Sequence, residues 1–440
     1  MLNGIYATMF SGSLKNYFVR INRFFHEITA HHYDGSVSCV LGCRICDTEN
    51  HVRLKNGEEA LCVCCGHRLM RIESDPYRLP VLYSLVALFL ILPVTLNFFL
   101  GMHMPGAAAY LTLPAMMYSL LFRDYGFLAN TMFFFVFSTP LIFLGLLLYV
   151  YGALWTQTDR PFLITATHWL FRLKSWLMVD IFAVASLVAL VKIRAVSSVD
   201  FGLAFFLLPV LALLLARISL SLSPPWIYRR VARIRQVRVQ TQANGENHHT
   251  CMYCSFRQPE HLTHCMACHR RLSPRRPHSL QLSLAFLVAA IVFYLPSNIL
   301  PIMITENPTA VIVSRILDGV FTLWNQGDHF IAVIIFTASV AIPFFKIVGM
   351  IVLLWAARFK HPFSIPFLSH LYRIIEIIGR WSMIDVFVII MLMATFATPV
   401  ARVTPGAAVI YFTAVVLLMM LSAYFFDVRL LWEQHDKSNN

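Results

Sequence analysis

Cys43-Arg-Ile-Cys46 and Cys62-Val-Cys-Cys65 stand ahead of one block of apolar segments. Cys251-Met-Tyr-Cys254 and Cys265-Met-Ala-Cys268 stand ahead of a second. Other landmarks recur at a nearly constant offset: 208 residues from Cys43 to Cys251, 203 from Pro140 to Pro343 and 205 from Asp180 to Asp385. A period of that length marks a duplicated domain rather than a solenoid unit. The chain therefore reads as one cysteine-rich domain and one apolar block, written twice.

Two Cys-x-x-Cys knuckles separated by a short spacer suit a tetrahedral ion, because each knuckle offers two sulfurs from one tight turn. The spacers are 15 and 10 residues (47–61 and 255–264), ribbon-like in both copies. The expectation is two structural zinc ions, one held by Cys43, Cys46, Cys62 and Cys65 and the other by Cys251, Cys254, Cys265 and Cys268. A domain this small buries little core, so the metal must supply folding energy. Four thiolates leave no open position for catalysis. His67, His264 and His269 are alternative ligands, and a thiol–disulfide role is the rival chemistry. Cys39 and Cys64 fall outside the pattern.

The composition is 58% hydrophobic and 13% charged, with a mean hydropathy of +0.67. This is a membrane composition. The first apolar run begins near Leu79, behind a polar, cysteine-containing stretch, and the N-terminus lacks the apolar core of a cleaved signal. The net charge of +13 is concentrated between the blocks, at Arg229, Arg230, Arg233, Arg235, Arg238, Arg270, Arg271, Arg275 and Arg276. Arg358, Lys360 and Arg373 add to it in a later loop. Basic residues flanking spans mark the cytoplasmic side and argue against nucleic acid as the partner. Thiolates in the same compartment stay reduced.

Eight spans follow, four per copy, at 80–102, 128–154, 175–196, 201–222, 279–303, 328–357, 376–398 and 406–427. An even number per copy returns both cysteine domains and both termini to the cytoplasm. Lys192, Arg194 and Arg402 are exceptions at the outer ends, where such side chains snorkel. Segments 106–122 and 308–325 read as short helices at the outer interface or re-entrant; counted as spans they give ten crossings. The expected division is a tail over 1–35, a zinc ribbon over 36–75, a membrane module over 76–225 and a basic linker over 226–247. A second ribbon over 248–275, a second module over 276–432 and a tail over 433–440 complete it. The fold class is all-α and polytopic, two tandem four-helix transmembrane modules each preceded by a small cytoplasmic ribbon.

Ionisable groups in spans cost about 2.5–3.5 kcal/mol each, so each needs a reason. In the second copy Ser339, Pro343, Lys346 and Met350 share one helical face, and Ser382 and Asp385 share another. Arg380 lies beside them at the cytoplasmic start of that helix with Glu376. A Lys346–Asp385 ion pair reads as proton-coupling apparatus or as a structural lock between helices. The first copy has Phe143 in place of Lys346 and keeps Asp180 without a matching lysine, so the second copy carries the polar site. Pro93 and Pro296 are expected to break the first span of each copy, with Asn97 and Asn298 close behind, and a broken helix can line a cavity. No phosphate-binding loop, dinucleotide fingerprint, His-Glu-x-x-His or nucleophile elbow is present, so an enzyme is not expected.

Four stretches carry a resemblance: Gly379-Arg-Trp-Ser-Met-Ile-Asp-Val-Phe387, Tyr294-Leu-Pro-Ser-Asn-Ile-Leu-Pro-Ile302, Arg172-Leu-Lys-Ser-Trp-Leu-Met-Val-Asp180 and Asp427-Val-Arg-Leu-Leu-Trp-Glu433. With the two ribbons they resemble the paraquat-inducible protein A family, including its LetA branch, over roughly 35–435. The resemblance implies a bacterial inner-membrane protein that works with an MCE-domain partner. The partner forms a tunnel across the periplasm, and the family member loads or receives phospholipid at its membrane end. It further implies that Ser339, Lys346, Ser382 and Asp385 matter. The function expected is lipid transport between inner and outer membranes. The alternatives are a non-transporting adaptor that anchors the MCE partner and a membrane thiol oxidoreductase.

Overall fold

The computed structural model describes residues 36–432, apart from 105–106, 123–124, 195–197, 238–247, 260, 274, 308–309, 326, 328, 360–363 and 396–401. The expected tails over 1–35 and 433–440 and most of the basic linker lie outside the described residues, as do the side chains of Lys192, Arg194 and Arg402.

Eight helical segments among the described residues are long and apolar enough to cross a membrane. In the first module these are α1 (Arg78–Leu96), α3 (Gly126–Thr156), the pair α4 (Leu163–Lys174) and α5 (Val179–Arg194), and α6 (Leu203–Ser221). In the second they are α8 (Ser279–Ile299), α10 (329–358), the pair α11 (Ile365–Trp381) and α12 (Ile384–Thr395), and α13 (Ala408–Phe425). The short helices α2 (Leu113–Leu121) and α9 (Ile316–Asn325) have 9 and 10 residues, half of what a crossing needs. Helix α7 (Pro224–Ile234) leads from the first module toward the second cysteine domain. Its Arg230, Val231 and Trp226 are buried, so it packs on the modules rather than dangling as a linker.

Three departures from the sequence reading have physical causes. The segments expected as interfacial helices each begin as a β-hairpin. Strands β5 (Leu100–Met104) and β6 (Ala107–Leu111) pair with β7 (Ser198–Phe201) in the order β6-β5-β7. Strands β10 (Met303–Asn307), β11 (Ala310–Ser314) and β12 (Arg402–Pro405) repeat the arrangement as β11-β10-β12. Each sheet caps its module at the end remote from the cysteine domains. The third strand joins the helix that follows it through Gly202 or Gly406. A Cβ there would stand 1.7 Å from Phe98 O or 1.9 Å from Pro301 O, so only glycine fits.

Pro93 and Pro296, expected to break their helices, lie inside continuous ones that end three residues later at Leu96 and Ile299. Asn97 Nδ2 donates to Pro93 O at 2.9 Å and closes that end. The third span of each module starts well before its expected position, at Leu163 and Ile365, and is itself interrupted. Arg172, Lys174, Arg373 and Glu376 make α4 and α11 amphipathic, which hid them from an apolar-run reading. A π-turn over Phe133–Ser138 and another over Thr337–Ala341 precede Pro140 and Pro343. The wider turn absorbs the hydrogen bond that proline cannot donate.

The modules meet along α5 and α12. Phe182 and Phe387 pack edge to face at 5.4 Å, and Phe135 meets Phe387 at 6.4 Å. The cysteine domains, built on hairpins β1 (Val37–Gly42) with β2 (Glu49–Leu54), β3 (Glu59–Leu61) with β4 (Arg68–Arg71), and β8 (His248–Thr250) with β9 (Arg257–Pro259), join each other. Gly42 N donates to Ser255 O at 3.0 Å. Arg429, 1% exposed, donates to Arg44 O at 3.3 Å and Thr250 O at 3.4 Å. The end of the second module thus fastens both cysteine domains.

Candidate functional site

Each knuckle has the same backbone. The residue after its second cysteine (Asp47, Gly66, Ser255 or His269) takes a left-handed φ of 60°, 64°, 64° or 54°. The N–H of that residue closes on the carbonyl of Cys43, Cys62, Cys251 or Cys265 at 2.8–3.0 Å. The turn aims both sulfurs of a pair inward. Across the pairs, Cys43–Cys65 and Cys46–Cys62 lie 3.5 Å apart. Cys251–Cys268 and Cys254–Cys265 lie 3.6 and 3.4 Å apart. Bonds of about 2.3 Å to one tetrahedral ion set sulfurs about 3.8 Å apart, whereas a disulfide would need about 2.05 Å. The eight predicted cysteines therefore form two groups that fit a metal ion, and the neighbouring histidines belong to neither. Cys39 is buried on β1 and Cys64 is exposed, both outside these groups.

The interruptions of the third spans fall on the recurring Trp-x-Met-x-Asp stretch. In the first module the helix stops at Lys174 and restarts at Val179; in the second it stops at Trp381 and restarts at Ile384. Trp176 N closes a tight turn on Leu173 O at 2.8 Å, as Met383 N does on Arg380 O at 3.1 Å. The carbonyls of Met178 and Met383 then accept the first bonds of the new helices, from Phe182 N and Phe387 N. Both methionines are fully buried and pin the restarts. Asp180 and Asp385 sit in the first turns of α5 and α12, where unsatisfied N–H groups favour negative charge.

A cation closes each interruption. Lys346, 3% exposed on α10, has Nζ 3.4 Å from both Gly379 O and Ser382 Oγ. It thereby satisfies a carbonyl in the last turn of α11 and ties that break to α10. Arg380, in the last turn of α11, reaches the other module instead. It donates to Leu177 O and to both oxygens of Asp180 at 3.3 and 3.2 Å. Asp180, which has no lysine in its own copy, takes its cation from the second copy. Ser339 is buried in the π-turn of α10, and Tyr294 Oη donates to the adjacent Val340 O at 3.4 Å. Asn298 bonds within its own helix, to Tyr294 O at 2.9 Å and Ser297 Oγ at 3.4 Å.

A cavity of about 290 Å³ opens between the modules at this level. Lys174 and Ser219 line it from the first module, and Lys346, Glu376, Arg380 and Met419 from the second. A neighbouring hollow of about 230 Å³ shares Ser219 and Arg380 and reaches Asp180. Lys174 and Met419 stand outside the polar cluster expected from the sequence, where Glu376 figured as a neighbour of Arg380. The one signal in the chain was the pair of unmatched charges around each Trp-x-Met-x-Asp. Chemically the space combines three cations, one carboxylate and a methionine-lined wall between two interrupted helices. Such a surface accommodates an amphiphile with an anionic end.

The family described as paraquat-inducible protein A matches residues 78–232 and again 280–436. The intermembrane transport protein PqiA of Escherichia coli K12 is 32% identical over 398 residues, covering 88% of this chain and 94% of that protein. The lipophilic envelope-spanning tunnel protein A of Escherichia coli K12 is 34% identical over 313 residues, 70% of this chain and 71% of that one. A probable intermembrane transport protein of Haemophilus influenzae is 27% identical over 412 residues, 90% of this chain and 97% of that one. No solved structure matches.

Proposed function

The chain belongs to the paraquat-inducible protein A family, and from this premise we propose that it is an inner-membrane lipid transporter that loads or receives phospholipid at a tunnel-forming MCE-domain partner. The names of the relatives, intermembrane transport protein and envelope-spanning tunnel protein, support the class of activity. The observation that carries the reading is the cavity between two interrupted helices, with the buried Lys346 on its wall. A buried ammonium in a membrane is costly. The Gly379 carbonyl and the Ser382 hydroxyl at the helix break help to offset that cost, and a cation held at such a break supports a role in transport rather than in packing alone.

In this reading the tandem copies, divided at 76–225 and 276–432, rock against each other about the α5–α12 contact. Lipid enters laterally, passes the Lys346–Ser382 break, and leaves toward the sheet-capped end, where the partner docks. Protonation of Asp385, one turn beyond Ser382, biases the two shapes, with Lys346 as its counter-charge and Ser339 as a relay on the facing helix. The cysteine domains hold one zinc ion each and lie in the cytoplasm with the termini. Reduced thiolates and the arginine-rich α7 both support that side.

The test is lipid transfer from vesicles holding the full chain and its MCE partner, with a pH gradient imposed. Lys346→Ala and Asp385→Asn should each cut transfer at least about tenfold, a loss of about 1.4 kcal/mol in the driving step, while the protein stays folded. Undiminished transfer in both variants ends the mechanism. No transfer even by the unaltered chain with partner present leaves an adaptor role.

A further inference from the structure

A groove of about 780 Å³ runs between α8 and α10 at the end that carries the cysteine domains, apart from the inter-module cavity. Arg276 and His278 immediately precede α8, and Arg358 is the last residue of α10, so three basic side chains gather at one level. Leu284, Leu287 and Ile351 line the groove toward the membrane interior. Nine residues of helix separate His278 from Leu287, about 13 Å of apolar wall below the basic rim. Arg276 is fixed, lying over the Tyr424 ring at 5.4 Å and donating to Tyr424 O. Arg358 is exposed and has no carboxylate within ion-pair distance among the described residues. Trp355, 43% exposed, stands at the same level, where aromatic rings anchor to headgroups.

The first module carries different residues at the related positions. The 203-residue offset that relates Pro93 to Pro296 and Pro140 to Pro343 puts Glu73, Asp75 and Trp155 at the positions of Arg276, His278 and Arg358. Those acids are already committed, Glu73 to Arg217 at 2.7 Å and Asp75 to Arg78 at 4.0 Å. Basic residues at a membrane edge are commonplace, but acids at two of the three related positions and a tryptophan at the third are not explained by topology alone.

We propose that the groove between α8 and α10 is a binding site for a glycerophospholipid of the leaflet on the side of the cysteine domains. Its phosphate is held by Arg358 and His278 beside the N-terminus of α8, and an acyl chain lies along Leu284, Leu287 and Ile351. The cationic end selects the phosphate, and the apolar wall selects the chain. The site does not depend on transport through the Lys346 cavity.

The test uses the full chain in phosphatidylethanolamine–phosphatidylglycerol vesicles containing a trace of phosphatidylglycerol with a diazirine on one acyl chain. Light fixes the probe where it sits, and peptide mapping locates the adducts. Adducts are expected on α8 and the second half of α10, above the level on the exposed face of α1 around Leu85, which reports lipid in general contact. Arg358→Glu should lower groove labelling about tenfold, equivalent to about 1.4 kcal/mol. Leu284→Trp, at a half-exposed position that leaves the core intact, should block it by filling the slot. Lys346→Ala should label as the unaltered chain does, so a failed transport mechanism is distinguishable from a failed lipid site. Groove labelling that equals that of α1 and ignores both variants overturns the proposal. So does labelling abolished by millimolar inorganic phosphate, which would make the rim a free-anion site.

Discussion

Arg380→Gln and Asp180→Asn, made singly and together, test whether the two modules are joined at their helix interruptions. The pair lies at 3.2 Å with side chains 35% and 45% exposed. At that distance the gross attraction is about 5 kcal/mol for an effective dielectric near 20. Partial exposure, screening and the ordering of a long side chain reduce the net term to about 0.5–1 kcal/mol. Arg380 also donates to Leu177 O, whose loss strips a charged donor from a carbonyl at the break and costs about 1.5 kcal/mol more. Arg380→Gln should therefore destabilise by about 2–2.5 kcal/mol and Asp180→Asn by about 0.5–1 kcal/mol. The double variant should resemble Arg380→Gln alone, a coupling of about 0.5–1 kcal/mol. Thermal unfolding in detergent, followed by tryptophan fluorescence, reads this; about 1 kcal/mol moves Tm by about 2–4 °C in domains of this size. Strict additivity of the two single losses would refute a working link between the modules at this point.

Cys265→Ser should reduce tightly held metal from two ions per chain to one by elemental analysis, because three thiolates do not close the tetrahedron; two retained ions would contradict the assignment of Cys265. Gly42→Val should loosen the joined cysteine domains, since even a Cβ meets Thr250 Oγ1 at 2.0 Å. The expected cost of about 1–3 kcal/mol should appear as faster proteolysis of these domains, and unchanged resistance would count against the contact. Glu73 is hydrogen-bonded by Arg217, which holds its carboxyl below the usual 4.5. A depressed folded-state pKa stabilises above the unfolded value and fades as pH falls through the folded one. The stability gap between the unaltered chain and Glu73→Gln should accordingly be full at pH 7 and shrink below about pH 4.5; a gap that widens in acid would reverse the sign.

Much of this arrangement was legible in the sequence because it rests on spacing. Cys-x-x-Cys fixes a turn, so the two groups of four cysteines that could hold an ion followed from the chain alone. Ser339, Lys346 and Ser382 stood out as polar groups in apolar runs, and Lys346 does meet Ser382. What was hidden rests on contacts distant in sequence. Strands β7 and β12 pair with hairpins about a hundred residues earlier, and no local periodicity announces a four- or five-residue strand. The prolines drew attention as helix breakers, yet Pro93 and Pro296 sit where the last turn tolerates them. The real interruptions occupy Ser175–Met178 and Ser382–Met383, stretches as apolar as the helices around them. Arg380 was grouped with its own copy because helical faces are visible in sequence and the packing of one module against another is not.

Lipid should occupy the space between the modules beside Lys346. A density map of the full chain in nanodiscs of its native lipids tests it most directly. An elongated density is expected between α11 and the first module, its polar end within hydrogen-bond reach of Lys346 or Arg380 and its tail against Met419. Lipid confined to the outer perimeter, with that cavity closed by side chains in every class of particle, would contradict it.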